Sequence, residues 1–224
     1  MRRSLLLLAA LLPALPAAAQ REVYDPEPPR GSAYLRFVNA TGGEVEVRPD
    51  FGPAQRLPAE SARRVGAYAV VENVAGRRLS VEVRAGGRSA TTALTPPADG
   101  FMTVLVMPGP GGAPVMSPVT EEMNFNRARA RIGFYNAVPG CEGGGLRLHP
   151  DGPAVFEGVA PGAARNRSVN PVNAEVAAGC GGRTAPVLRL EGLEAGQSHS
   201  LFLLPEGGAL RGLLARDVTT PWRR

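Results

Sequence analysis

Two histidines and a handful of serines set the limits of any hydrolytic or transfer chemistry in this chain. His199 lies within Gly196-Gln-Ser198-His-Ser200, and His149 lies within His149-Pro-Asp151. The first segment has part of the outline of a nucleophile elbow, but the second glycine of G-x-S-x-G is missing. No strand-to-helix pattern surrounds it. No phosphate-binding loop, dinucleotide fingerprint or H-E-x-x-H pair occurs. The expectation is a protein without catalytic, cofactor-binding or metal-binding residues. Three arginines offer binding chemistry instead. Arg127, Arg129 and Arg131 recur at a spacing of two, so on a strand they project from one face. Planar guanidinium forks in a row suit carboxylates. A charged row also protects an edge strand from aggregation. Cys141 and Cys180 are the two cysteines of the chain. Their spacing is not C-x-x-C, and an even count in an exported chain favours a disulfide over a redox pair or a metal site.

The elements that must position these residues are announced by an internal repeat. Ala33-Tyr-Leu-Arg-Phe-Val-Asn39-Ala40 and Ala130-Arg-Ile-Gly-Phe-Tyr-Asn136-Ala137 superimpose at an offset of 97. Val104-Leu-Val-Met-Pro108 matches Leu201-Phe-Leu-Leu-Pro205 at the same offset, and a Gly-Gly-Ala follows each. Between these landmarks Arg48-Pro-Asp50 answers His149-Pro-Asp151. Landmarks in one order at near-constant spacing indicate duplication.

Within each copy the pattern is that of strands. Ala33, Leu35 and Phe37 share one face, and Tyr34, Arg36 and Val38 share the other. Leu79-Ser-Val-Glu-Val-Arg84 alternates likewise. Turn signals such as Thr41-Gly-Gly43 and Ala85-Gly-Gly87 separate the runs. About seven short strands per copy predict an all-β chain of two tandem immunoglobulin-like antiparallel β-sandwich domains, over 31–123 and 127–219. Leu35, Phe37 and Leu105 are expected in the first core, and Ile132, Phe134 and Phe202 in the second. The repeat puts Ala130, Ile132 and Phe134 inward, which turns the arginine row outward. Asn39 and Asn136 each end a strand, where Asn tolerates tight turns and bonds backbone two residues on.

The N-terminus has the order of a secretory signal. Met1-Arg2-Arg3 is basic, Ser4 to Pro16 is apolar, and Ala17-Ala18-Ala19 supplies a cleavage site. Residues 1–19 are therefore expected to be removed. The apolar run is too short for a membrane span, so an exported, periplasmic protein without stable membrane insertion is expected. Residues 20–30, with Tyr24, Pro26, Pro28 and Pro29, form a Pro-rich extended arm. Loss of Arg2 and Arg3 takes the formal charge of +5 to +3, too little to imply nucleic acid. Residues 31–123 balance nine Arg against nine acids, whereas 127–224 carry twelve Arg against eight. That weak excess could meet an acidic polymer or be an ordinary solvated surface.

Val23-Tyr-Asp-Pro-Glu-Pro-Pro-Arg-Gly-Ser-Ala-Tyr-Leu-Arg-Phe-Val-Asn-Ala40 resembles the opening of the AlgF family, periplasmic accessory proteins of alginate O-acetylation. Asn170-Pro-Val172 resembles a second landmark of that family. The resemblance implies a non-catalytic adaptor that docks a membrane-bound O-acyltransferase and periplasmic SGNH-type acetyltransferases. The candidate contacts are then Tyr24 and Pro26 of the arm, with Arg127, Arg129 and Arg131. The cysteine pair and the all-arginine basic surface depart from the family pattern, so the polymer stays open. Ala130 to Val159 also resembles a widespread extracellular β-sandwich repeat, which implies an envelope adhesion or scaffold module instead.

Overall fold

The computed structural model describes residues 27–60, 62–121 and 126–223. The signal segment 1–19 and the arm residues Tyr24 and Pro26 lie outside the described residues. The described chain is all-β, with two short 3-10 turns. The first half runs β1 (Ala33–Asn39), β2 (Val45–Pro49), β3 (Gln55–Leu57), β4 (Ala69–Val71), β5 (Leu79–Ala85), β6 (Arg88–Leu94), β7 (Phe101–Pro108) and β8 (Pro114–Glu121). The second runs β9 (Ala130–Asn136), β10 (Gly144–Leu148), β11 (Ala154–Val159), β12 (Ala164–Val169), β13 (Val172–Cys180), β14 (Arg183–Thr184), β15 (Leu188–Leu193), β16 (Ser198–Glu206) and β17 (Ala209–Arg216).

The two halves repeat one topology. Sheet orders β4-β1-β7-β8 and β3-β2-β5-β6 in the first half are answered by β12-β9-β16-β17 and β11-β10-β13-β14 in the second, with β15 also pairing β13. The expected antiparallel sheets are in fact mixed. β1 pairs β7 in parallel, and β9 pairs β16 in parallel. Parallel neighbours need a long crossover, and the excursion through the other sheet supplies it.

Leu35, Phe37 and Val104 meet Val47, Val81 and Val83 in the first core. Ile132, Phe134 and Leu201 meet Leu146, Val176 and Leu190 in the second. A third apolar cluster joins the halves: Val38, Leu105 and Met107 from the first, Tyr135, Phe202 and Leu204 from the second. Leu105 and Phe202 therefore belong to this seam and not to the separate cores expected for them. The reason is alternation. Each lies next to a core residue on its strand and so points to the opposite face. The result is four stacked sheets, of which the inner two are covered on both faces along their central strands β1, β7, β9 and β16.

Asn39 and Asn136 hold the chain where it leaves the inner sheets. Both are fully buried. Asn39 donates Nδ2 to the carbonyls of Gly43 and Leu57, and its Oδ1 accepts the Thr41 N–H at 2.8 Å. Asn136 donates to the carbonyls of Cys141 and Val159, and accepts the Val138 N–H. This is the two-residue Asx turn that the sequence suggests. A Cβ at Gly144 would stand 2.7 Å from the Asn136 Nδ2, so only glycine starts β10 beside it.

Two features extend beyond a sandwich half. The segment after β17 crosses to the first half: the Tyr68 N–H donates to the Val218 carbonyl, and the Thr220 N–H to the Tyr68 carbonyl. Cys141 and Cys180 are disulfide-bonded, with Cα atoms 5.8 Å apart. No helix among the described residues is long and apolar enough to cross a membrane.

Residues 20–123 expressed alone should unfold cooperatively on the strength of their own core, yet self-associate through the bared Val38, Leu105 and Met107 face. Sedimentation checks this; a strictly monomeric fragment would contradict the seam. The oxidised protein should show no free thiol after denaturation. Its disulfide spans 39 residues. Reduction should cost up to about 4 kcal/mol on the chain-entropy account, read by denaturant titration.

Candidate functional site

The seam is apolar at one end and charged at the other. Arg36 occupies the middle of β1, where its neighbours Leu35 and Phe37 face the first core. Its side chain therefore faces the second half, and it is 1% exposed. Nε donates to Thr103 Oγ1 at 2.8 Å, and Nη1 to Asp217 Oδ1 at 2.6 Å. Nη2 donates to Ser200 Oγ at 2.8 Å and to the Tyr135 hydroxyl at 3.2 Å. The guanidinium also lies 4.2 Å from the Tyr68 ring centroid, a cation–π contact strengthened by exclusion of water. Glu121 accepts from the hydroxyls of Thr103 and Tyr68, and pairs with Arg131 Nη2 at 3.2 Å.

The repeat explains this convergence. Thr103 and Ser200 are equivalent at the offset of 97, and both contact Arg36. Phe101 pairs with Glu121 across β7 and β8, and its counterpart Ser198 stands beside Asp217. Glu121 and Asp217 are thus equivalent carboxylates, one from each half, and Arg36 lies between them. The counterpart of Arg36 is Gly133. A Cβ there would stand 3.1 Å from the Tyr135 ring and 3.7 Å from Ser200 Oγ. One half supplies the cation and the other leaves space.

Burial alone would push the Glu121 carboxyl up, but the Arg36 guanidinium and the hydroxyls of Thr103, Tyr68 and Tyr135 hold it below the usual carboxylate range. Burial likewise opposes the charge on Arg36, and Tyr68, Tyr135 and the two carboxylates outweigh it. Burial drives both tyrosine hydroxyls upward, so they serve as neutral donors.

The arginine row is not a row on one exposed face. Arg127 and Arg129 are exposed in the turn before β9, and only Arg131 lies on the strand. Arg131 does point away from the second core, as its alternation requires. That direction is the seam and not solvent, and Arg131 is 4% exposed. Its Nη1 stands 3.8 Å from Asp217 Oδ2, beyond hydrogen-bond reach, and its Nε and Nη1 have no hydrogen-bond partner among the described residues.

Ser198, His199 and Ser200 are consecutive on β16, so His199 points away from both serines. His199 shares the face of Leu201 and Leu203, in the second core, and burial lowers its pKa. Ser200 is fully buried, accepts from Arg36 and donates to Asp217 Oδ1 at 2.7 Å. A proton-accepting His–Ser contact is not formed.

No family model matches this chain, and no curated protein sequence matches it. Among solved structures, the C-terminal domain of AlgF from P. aeruginosa is similar at a TM-score of 0.35 and 21% identity, covering 40% of this chain and 98% of that one. A likeness of that size assigns no role.

Arg36→Leu should destabilise by about 3–5 kcal/mol, because two buried carboxylates lose their shared cation. Acid should act on the same cluster. The folded pKa of Glu121 lies below its unfolded value, so its stabilisation is complete above the ordinary 4.5 and is lost as pH falls through the folded value. Denaturant titrations from pH 7 to 3 should therefore show a steep acid limb that Glu121→Gln flattens. An unchanged slope in that variant would remove Glu121 from the account.

Proposed function

We propose that this chain is a non-catalytic, exported accessory protein for O-acetylation of an exopolysaccharide, alginate or a similar polymer. In this reading residues 1–19 are its signal peptide, and it works in the periplasm. The single observation that carries the reading is the resemblance of Val23 to Ala40 to the AlgF family. The β-sandwich-like fold, an immunoglobulin-like pair in the finer reading, and a disulfide suited to an oxidising compartment support it. A docking protein needs a rigid body with shaped surfaces rather than a cleft with a nucleophile. The shared apolar seam and its charge cluster provide the rigidity. The partners are a membrane-bound O-acyltransferase and periplasmic SGNH-type acetyltransferases. The contacts are the arm around Tyr24 and Pro26 and the exposed Arg127 and Arg129.

Deletion of the gene should abolish or strongly reduce acetylation of the polymer, measured by acetyl-ester content. Ser198→Ala and His199→Ala, each verified to fold, should restore it. Loss of acetylation in a folded variant would move the chain into the transferase class. Unchanged acetylation in the deletion strain would leave the envelope-scaffold reading.

A further inference from the structure

The charged end of the seam opens into a groove that runs well beyond the docking contacts at Arg127 and Arg129. Three concavities run together there. The first, of about 490 Å³, is lined by Arg30, Ser32, Tyr34, Phe101 and Thr219, among others. The second shares Phe101 and Thr219 with it and continues over Gly196, Gln197 and Ser198. The third shares those last three residues and ends on Arg127, Arg129 and Arg131, with about 230 Å³ of space. The groove thus begins on the first half and ends on the second.

Its two ends are equivalent places with different chemistry. At the offset of 97, Arg30 answers Arg127, Tyr34 answers Arg131, and Phe101 answers Ser198. At the first end Tyr34 lies flat against Phe101, with centroids 4.6 Å apart and planes 9° apart. Tyr68 braces Phe101 edge-on. At the second end Arg127 and Arg129 are exposed and pair with no described acid, while Arg131 is buried behind them beside Glu121 and Asp217. The acids of the groove lie away from the arginine end: Glu27 and Asp99 border the Tyr34 end, with Asp99 Oδ1 taking the Gly31 N–H at 2.8 Å, and Asp217 holds Arg36.

We propose that this groove binds an anionic polysaccharide lying across the seam, with a sugar face on Tyr34 and carboxylates at the arginine end. A flat aromatic surface suits the C–H face of a pyranose ring, and guanidinium forks grip carboxylates in pairs. The backbone favours a sugar over a peptide. The groove crosses the beginnings of β1, β7, β9 and β16, where Tyr34 N–H already bonds Gly100 and Arg131 N–H bonds Gln197. No free sheet edge runs along it for a peptide to join, and a sugar chain needs none. The proposal deepens the accessory reading, on which rests only the identity of the polymer as the one being acetylated.

The test is an NMR titration of the mature protein with a galacturonate heptamer, with cellohexaose and hexaglutamate as comparisons. The galacturonate should shift the amides of Tyr34, Phe101, Gln197 and Ser198, and added salt should weaken it. The Arg127→Gln/Arg129→Gln double variant and Tyr34→Ala should each weaken binding by about tenfold, as expected for losing a charge-assisted or stacking contact. Their unfolding midpoints, measured alongside, should match the parent in the arginine variant, whose side chains are exposed. Absence of shifts, equal affinity in the double variant, or hexaglutamate binding as tightly as the uronate would overturn the proposal. The deletion-strain experiment reads acetylation and not binding, so a failure there is distinguishable from a failure here.

Discussion

A guanidinium shut away from water must be matched by charge and hydrogen-bond acceptors, or the fold that encloses it is too costly to form. Arg36 sets that condition here. Its hydrogen-bond acceptors come from three strands and the tail after β17, in both halves, and Glu121 of β8 stands 3.7 Å away. The first half alone provides Thr103 and Glu121. Ser200, Tyr135 and Asp217 arrive only when the second half is docked. The seam is therefore more than an apolar contact between finished domains. Its register is fixed by where one cation finds its partners, while Val38, Leu105, Phe202 and Leu204 supply the favourable burial, about 1.5–3 kcal/mol for each large side chain.

The same condition orders the surface. Because Asp217 must reach Arg36, the chain after β17 is brought across the seam, and Val218 and Thr220 then bond the backbone at Tyr68. Tyr68 in turn braces Phe101, on which Tyr34 lies. The arrangement of groups at the mouth thus follows from the buried network behind it.

Much of this was legible in the chain itself. The offset of 97 between Ala33 to Ala40 and Ala130 to Ala137 gives two copies of one topology, and the alternation in Leu35 and Phe37 gives the inward face. The Asn39 and Asn136 turns and the Cys141–Cys180 bond follow from local chemistry. What alternation does not reveal is what lies on the other face. Arg36 and Arg131 have the same pattern whether that face meets water or a second sheet. The apolar residues on the second face were the available signal, since strands covered on both sides lose the polar half of their alternation, and Val38, Tyr135, Leu105 and Phe202 show that loss. The convergence of Glu121 and Asp217 is beyond sequence reach, because one ends a strand and the other follows one, and only packing makes them neighbours. Spacing alone puts Arg127 and Arg129 on a strand, and a turn claims them.

Two equivalent faces packed on each other have the geometry of a homodimer contained in one chain. In a dimer of identical subunits, whatever stands at a position near the axis stands there twice. An arginine would meet its own copy, like charge against like in a dry site, and a glycine would leave a hole on both sides. Joining the copies in one polypeptide lifts that symmetry. Position 36 can be arginine while its counterpart at 133 is glycine, and one cation then serves two carboxylates. Covalent linkage has here enlarged the set of interiors available to the fold.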